Sequence, residues 1–154
     1  KENRPVEVGD VSTVPRTLSV KFRPELVRSL AQMQANLASQ DEQVLDARSP
    51  GRFDGAEPEA RAGIRSGRIP GSSCVYFPRL TNPETGEFLP ADELKAAFEE
   101  GGVNLDRPAV GTCGSGVSAC VLTLGLHLLG HESYAVYDGS WTEWGGHTDT
   151  PIET

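Results

Sequence analysis

The period of apolar positions changes several times along the chain, and each change marks an element. Residues 1–20 are polar, interrupted by Pro5 and Pro15, and show no sustained period. From Pro24 onward Leu26, Leu30, Met33 and Leu37 recur at helical spacing, and proline suits a first turn, so a helix is predicted from Pro24. QVLDA (43–47) is a short β-type run, and a long loop rich in Arg, Gly and Pro fills residues 48–71. SCVYF (73–77) reads as a second strand, followed by the turn-rich TNPETGEF. PADELKAAFEEGG opens with proline and acids, lines up Leu94, Ala97 and Phe98 on one face, and stops at Gly101 and Gly102, which are helix start and stop signals. PAVGT (108–112) is a third strand, residues 119–129 a strongly apolar helix, and YAVYD (134–138) a fourth strand, with GSWTEWGG closing the domain. Strands that alternate with helices imply an α/β fold, a parallel sheet covered on both faces.

Composition adds limits to this picture. A chain of 154 residues supports one sizeable core. A formal charge of −8 leaves no basic stripe for phosphates, which excludes a general nucleic-acid binder. No apolar run approaches the roughly 20 residues that cross a bilayer, and KENRPVEVGD lacks the apolar centre of a secretory signal. Cys74, Cys113 and Cys120 are odd in number and without CxxC spacing, so a reducing compartment with free thiols is expected.

The chemistry centres on GTCGSGVSAC. If PAVGT is a central parallel strand, Cys113 sits at its carboxyl end, just before a helix, where ligands bind in open α/β sheets. Successive N–H groups in such a loop form an anion-binding nest, which favours a thiolate. Ser115 and Ser118 can add hydroxyls. The plainer alternative is a buried structural thiol, because free cysteine is among the most buried residue types. Glycine at both +1 and +3 is more than packing requires. Cys74 in its strand and Cys120 in its helix receive the plainer reading. A phosphatase loop would carry arginine where Ala119 stands, and His127 (buried in its helix), His131 and His147 have no neighbourhood that marks a base.

CGSGVSA after a strand, with QVLDARSPGRF, GRIPG and YDGSWTEW around it, resembles the rhodanese-like sulfurtransferases over residues 20–150. The pattern is that of the carboxyl-terminal, catalytic domain of those that use 3-mercaptopyruvate; Gly-Ser-Gly after the cysteine separates them from thiosulfate-using relatives, which carry charged residues there. Ser118 replaces the usual threonine, and Arg68 stands where histidine often precedes Ile-Pro-Gly.

The resemblance implies that Cys113 takes sulfur from 3-mercaptopyruvate, releases pyruvate and carries a persulfide stabilised by the loop Gly114, Ser115, Gly116, Val117 and Ser118. Thioredoxin or another thiol, or cyanide, would remove the sulfur. Arg52 and Arg61 match the substrate-binding arginines. Ser115 matches a serine assigned to proton transfer, and equally reads as a loop or helix cap. Trp141 and Trp144 read as packing, and Asp46 as a local partner of the arginine-rich loop. No cofactor and no metal are called for.

The same resemblance implies that residues 1–20 are a linker or extended arm from a missing N-terminal rhodanese-like domain, and residues 21–154 the catalytic domain. The cytoplasm is the expected compartment, with the mitochondrion as alternative. A thiosulfate:cyanide sulfurtransferase and a non-enzymatic binding module are the alternative functions.

Overall fold

Stretches that are apolar at consecutive positions become the middle of a sheet, since a parallel strand is covered on both faces. The computed structural model describes residues 4–154. In it β2 (Gln43–Asp46), β4 (Ala109–Thr112) and β5 (Tyr134–Tyr137) are the central strands. All four residues of β4 are buried. It pairs with β2 from Gln43↔Ala109 to Asp46↔Thr112, and with β5 from Ala109↔Tyr134 to Gly111↔Val136. Two short strands complete the described sheet, β1 (Val27–Arg28) beside β5 and β3 (Ser73–Cys74) beside β2. The order is β1-β5-β4-β2-β3 and every pairing is parallel, as the alternation of elements predicts.

Parallel neighbours need crossovers, and helices supply them. Alternation along the strands sends Leu45 and Ala109 to one face, where they pack with Leu94 and Phe98 of α3 (Ala91–Glu100) and Leu122 and Leu126 of α4 (Ala119–Leu128). Val44 and Val110 face the other way, into a cluster with Met33 of α1 (Leu30–Ser39) and with Trp141 and Trp144 of α5 (Ser140–Trp144). The two tryptophans are core, as expected.

The structure corrects several boundaries. Pro24–Leu26 is a single 3-10 turn rather than the start of a helix, and Val27 and Arg28 pair with Val136 and Tyr137. The helix begins only at Leu30, because Ser29 and Gln32 form a capping box in which each side chain bonds the other's backbone N–H. The strand expected over 73–77 stops at Cys74, and Phe77–Leu80 forms a 3-10 turn around Pro78, which has no N–H to give a ladder. A one-turn helix, α2 (Pro50–Phe53), lies inside the expected loop of 48–71, and SWTEW forms α5. Residues 4–23 form no helix or strand and are exposed; the first three residues of the expected arm lie outside the described residues. No helix among the described residues is long and apolar enough to cross a membrane.

Candidate active site

The chain leaves the centre of the sheet at Thr112 and turns through Cys113–Ser118 into α4. Three bonds from α5 fix the start of this loop. The Cys113 N–H donates to Ser140 Oγ at 3.2 Å, the Trp141 N–H to the Cys113 carbonyl at 2.9 Å, and the Thr142 N–H to the Gly114 carbonyl at 3.0 Å. Thr142 Oγ1 adds a bond to that same carbonyl at 2.5 Å. Further on, Gly116 has φ +84°, and a side-chain carbon there would lie 2.8 Å from the Asp138 carbonyl oxygen, so only glycine fits. The N–H groups of Gly114, Ser115, Gly116, Val117 and Ser118 donate to no acceptor among the described residues. Backbone donors left in this state at a strand-to-helix turn form a site for an anion or water.

Two arginines from distant positions, Arg52 of α2 and Arg61 of the following loop, meet this turn. The Arg52 guanidinium lies against Gly114, with Nη2 3.1 Å from where a β-carbon would stand. Arg61 Nη1 donates to Thr142 Oγ1 at 2.9 Å, and so connects through Thr142 to the Gly114 carbonyl. Both arginines line a cavity of about 400 Å³ together with Arg48, Glu59, Gly114, Ser115, Ser118 and Thr142.

A buried ion network stands behind that wall. Arg48 is clamped on Asp46, with Nη2 2.6 Å from Oδ2 and Nε 3.1 Å from Oδ1, and it stacks 4.5 Å over the Trp141 ring. Its Nη1 donates to Glu59 Oε1 at 2.7 Å, while Glu59 Oε2 accepts from Arg52 Nη2. Burial pulls the Arg48 guanidinium down, but Asp46 and Glu59 outweigh it and hold the group above its ordinary value. Asp46 thus pairs with the arginine-rich loop as its sequence context predicts.

Two of the three thiols differ from their sequence reading, while Cys74 lies in its strand as expected. Cys113 is only 1% exposed and packs among Ala109, Ala119 and Leu122, so the small residues beside it do not leave it open. It is not itself on the cavity wall. Cys120, read as a packed thiol, is exposed on α4 and donates to the Gly116 carbonyl at 3.4 Å. Burial, then the neighbouring Cys113 and Asp138, push its thiol up. Burial followed by Asp46 and Asp54 pushes Cys74 up to about 11. His127, expected inside its helix, lies on the exposed side of α4.

Among the proposed site residues, Arg52, Arg61, Gly114, Ser115 and Ser118 share the cavity, while Gly116 is buried and Val117 is 76% exposed off the wall. Ser118 occupies the N-cap position of α4 without a side-chain cap bond, and the Ser115 hydroxyl makes no hydrogen bond among the described residues. Glu59, Ser140 and Thr142 are the structural partners that sequence reading missed.

A family model of the rhodanese-like domain matches residues 29–147, from the cap of α1 to just beyond α5. The chain belongs to this family. Among curated rhodanese-like proteins, the thiosulfate/3-mercaptopyruvate sulfurtransferase 1, mitochondrial, of Arabidopsis thaliana is 49% identical over 140 residues, 91% of this chain and 37% of that protein. The 3-mercaptopyruvate sulfurtransferase of Mus musculus is 41% identical, over 93% of this chain and 48% of its own length. The crystal structure of SseA from Escherichia coli, a 3-mercaptopyruvate sulfotransferase, has a TM-score of 0.75 at 34% identity and covers 88% of this chain and 49% of that one. The chain therefore spans less than half the length of these rhodanese-like relatives, and the match is to their carboxyl-terminal domain.

Proposed function

We propose that this domain is a sulfurtransferase that moves sulfur from 3-mercaptopyruvate to a thiol acceptor through a persulfide on Cys113. The observation that carries the reading is convergence. Arg52 and Arg61 wall one cavity with Gly114, Ser115 and Ser118, the loop residues that follow Cys113, and the loop N–H groups are not spent on the chain itself. The relatives' names, one of which couples thiosulfate with 3-mercaptopyruvate, support the donor class.

In this mechanism the arginines hold the donor carboxylate, since planar cations pair bidentately with it. The Cys113 sulfur attacks the donor sulfur, an S–S bond forms and the C–S bond breaks, with its electron pair going to carbon. The resulting pyruvate enolate takes the proton that the donor thiol brought, and pyruvate leaves. Ser115 relays that proton in this reading, supported by its exposure on the cavity wall. The negative outer sulfur of the persulfide rests among the free loop N–H groups. A thiol such as that of thioredoxin, or cyanide, then attacks the outer sulfur and regenerates Cys113.

We further infer that residues 1–20 are an arm from a preceding rhodanese-like domain that narrows the cavity mouth, supported by the length of the relatives. The cytosol is the proposed compartment, with the mitochondrion as alternative, since the Arabidopsis relative is named mitochondrial.

The test is catalysis by variants. Pyruvate release and thiocyanate formation are expected to vanish in Cys113→Ser. Arg52→Gln and Arg61→Gln should each raise KM for 3-mercaptopyruvate about tenfold or more while changing use of an uncharged sulfur donor little. Equal losses for both donors contradict the substrate role of the arginines. A second reading, a binding module without activity, draws on the burial of Cys113 and predicts no sulfur uptake from any donor.

A further inference from the structure

Four charged side chains line the cavity, and three of them are arginines. Arg48 is already neutralised by Asp46, which lies behind the wall and holds it through two nitrogens. Glu59 is the remaining carboxylate. Its side chain is 5% exposed, and each of its oxygens takes a different guanidinium, Arg48 at 2.7 Å and Arg52. Glu57, its neighbour in sequence, turns away to Ser49 at 3.1 Å. Three cations against two carboxylates leave a surplus of one positive charge at the cavity.

Glu59 also holds Arg52 alone. The Arg52 Nε is buried without a hydrogen-bond partner, and Glu59 provides the guanidinium's one hydrogen-bond acceptor among the described residues. Because Arg48 is locked between Asp46, the Gly67 carbonyl at 2.8 Å and the Trp141 face, Glu59 reaches Arg52 from a fixed base. A carboxylate in that place does two things. It keeps the guanidinium against Gly114, and it halves the charge that Arg52 and Arg61 would otherwise offer together.

We infer that Glu59 is a positioning and specificity-determining residue: it orients Arg52 and sets the cavity to a single surplus positive charge, matched to a monoanionic sulfur donor rather than a dianionic one. The inference rests on the sulfurtransferase reading and deepens it. 3-Mercaptopyruvate enters as a carboxylate of charge −1, whereas thiosulfate carries −2 and leaves as sulfite after the same Cys113 attack on its outer sulfur. With Glu59 neutral, the surplus becomes two, and the dianion gains more from it than the monoanion.

The experiment measures kcat/KM for thiosulfate and for 3-mercaptopyruvate in the parent protein, Glu59→Gln and Glu59→Asp, with folding followed by circular dichroism. The thiosulfate-to-mercaptopyruvate ratio should rise roughly fivefold or more in Glu59→Gln. Glu59→Asp keeps the charge with a shorter reach, so both KM values rise and the ratio stays within about twofold of the parent. A folded Glu59→Gln with an unchanged or lower ratio overturns the inference, as does an equal rise in Glu59→Asp. If Glu59→Gln does not fold, the aspartate variant decides: a shifted ratio with unchanged KM for 3-mercaptopyruvate refutes it. A parent that takes sulfur from neither donor refutes the proposed chemistry of the site itself, and the inference falls with it.

Discussion

Gly114 and Gly116 frame the candidate loop, yet the structure assigns them opposite sensitivities. At Gly116 a methyl group meets two penalties. The backbone is left-handed at φ +84°, which for an L-residue costs about 1–2 kcal/mol. The new carbon would also lie 2.8 Å from the Asp138 carbonyl oxygen, a backbone atom that cannot swing aside. Forcing that contact apart adds about 1–3 kcal/mol, as in other overpacked sites. Gly116→Ala is therefore expected to lose about 2–5 kcal/mol, a fall of roughly 5–15 °C in Tm for a domain of this size. At Gly114 the φ is ordinary and the nearest atom is Arg52 Nη2 at 3.1 Å, the far end of a flexible side chain. Gly114→Ala should leave Tm nearly unchanged, since lost backbone freedom in the unfolded chain offsets a small displacement. It should instead push Arg52 off the loop and raise KM for 3-mercaptopyruvate. Thermal melts by circular dichroism and steady-state pyruvate release read the two effects separately. A Gly116→Ala protein melting within about 1 °C of the parent, or a Gly114→Ala protein as unstable as it, refutes this description of the loop.

Two further outcomes follow from the site. Ser140, buried at φ +51°, accepts from the Cys113 N–H and donates to the Tyr137 carbonyl at 2.8 Å, so Ser140→Ala strands two buried polar groups. A loss of about 1–3 kcal/mol by urea denaturation is expected, and no change in midpoint contradicts it. Because the Cys74 thiol is pushed up to about 11, only about one molecule in a thousand is thiolate there at pH 8. Its alkylation, followed by mass spectrometry of the Cys74 peptide, should rise about tenfold per pH unit up to pH 10; a plateau near pH 9 contradicts that environment.

How much of this was legible in the sequence depended on the range of the interactions. Adjacent apolar residues at Val44–Leu45, Ala109–Val110 and Tyr134–Tyr137 announced the central strands, because burial on both faces is written locally. The glycine spacing around Cys113 announced a tight turn for the same reason. The edge strand Val27–Arg28 was hidden, since Leu26 and Leu30 continue a helical spacing across it; Ser29 and Gln32, a capping-box pair, were the local signal that the helix starts later. Likewise Ser49-Pro50 marks the start of α2. Glu59 and Ser140 carried no such signal. Their partners lie 11 and 27 residues away, and only the folded loop and α5 bring them to Arg48 and Cys113. The exposure of Cys120 and burial of Cys113 were inverted for a related reason: position in a helix does not say which side faces the sheet, and Cys113 shares the face of Ala109, against α4.

The central claim is that Cys113, and no other thiol, carries the transferred sulfur. The direct measurement is peptide-level mass spectrometry after brief exposure to stoichiometric 3-mercaptopyruvate, with free thiols trapped by alkylation. The account predicts one added sulfur on the peptide containing Cys113, removed by cyanide, with the Cys74 peptide unchanged. Cys113 and Cys120 share a short stretch, so fragmentation must separate them. An added sulfur on Cys120, or none on either residue while the protein is folded, contradicts the account.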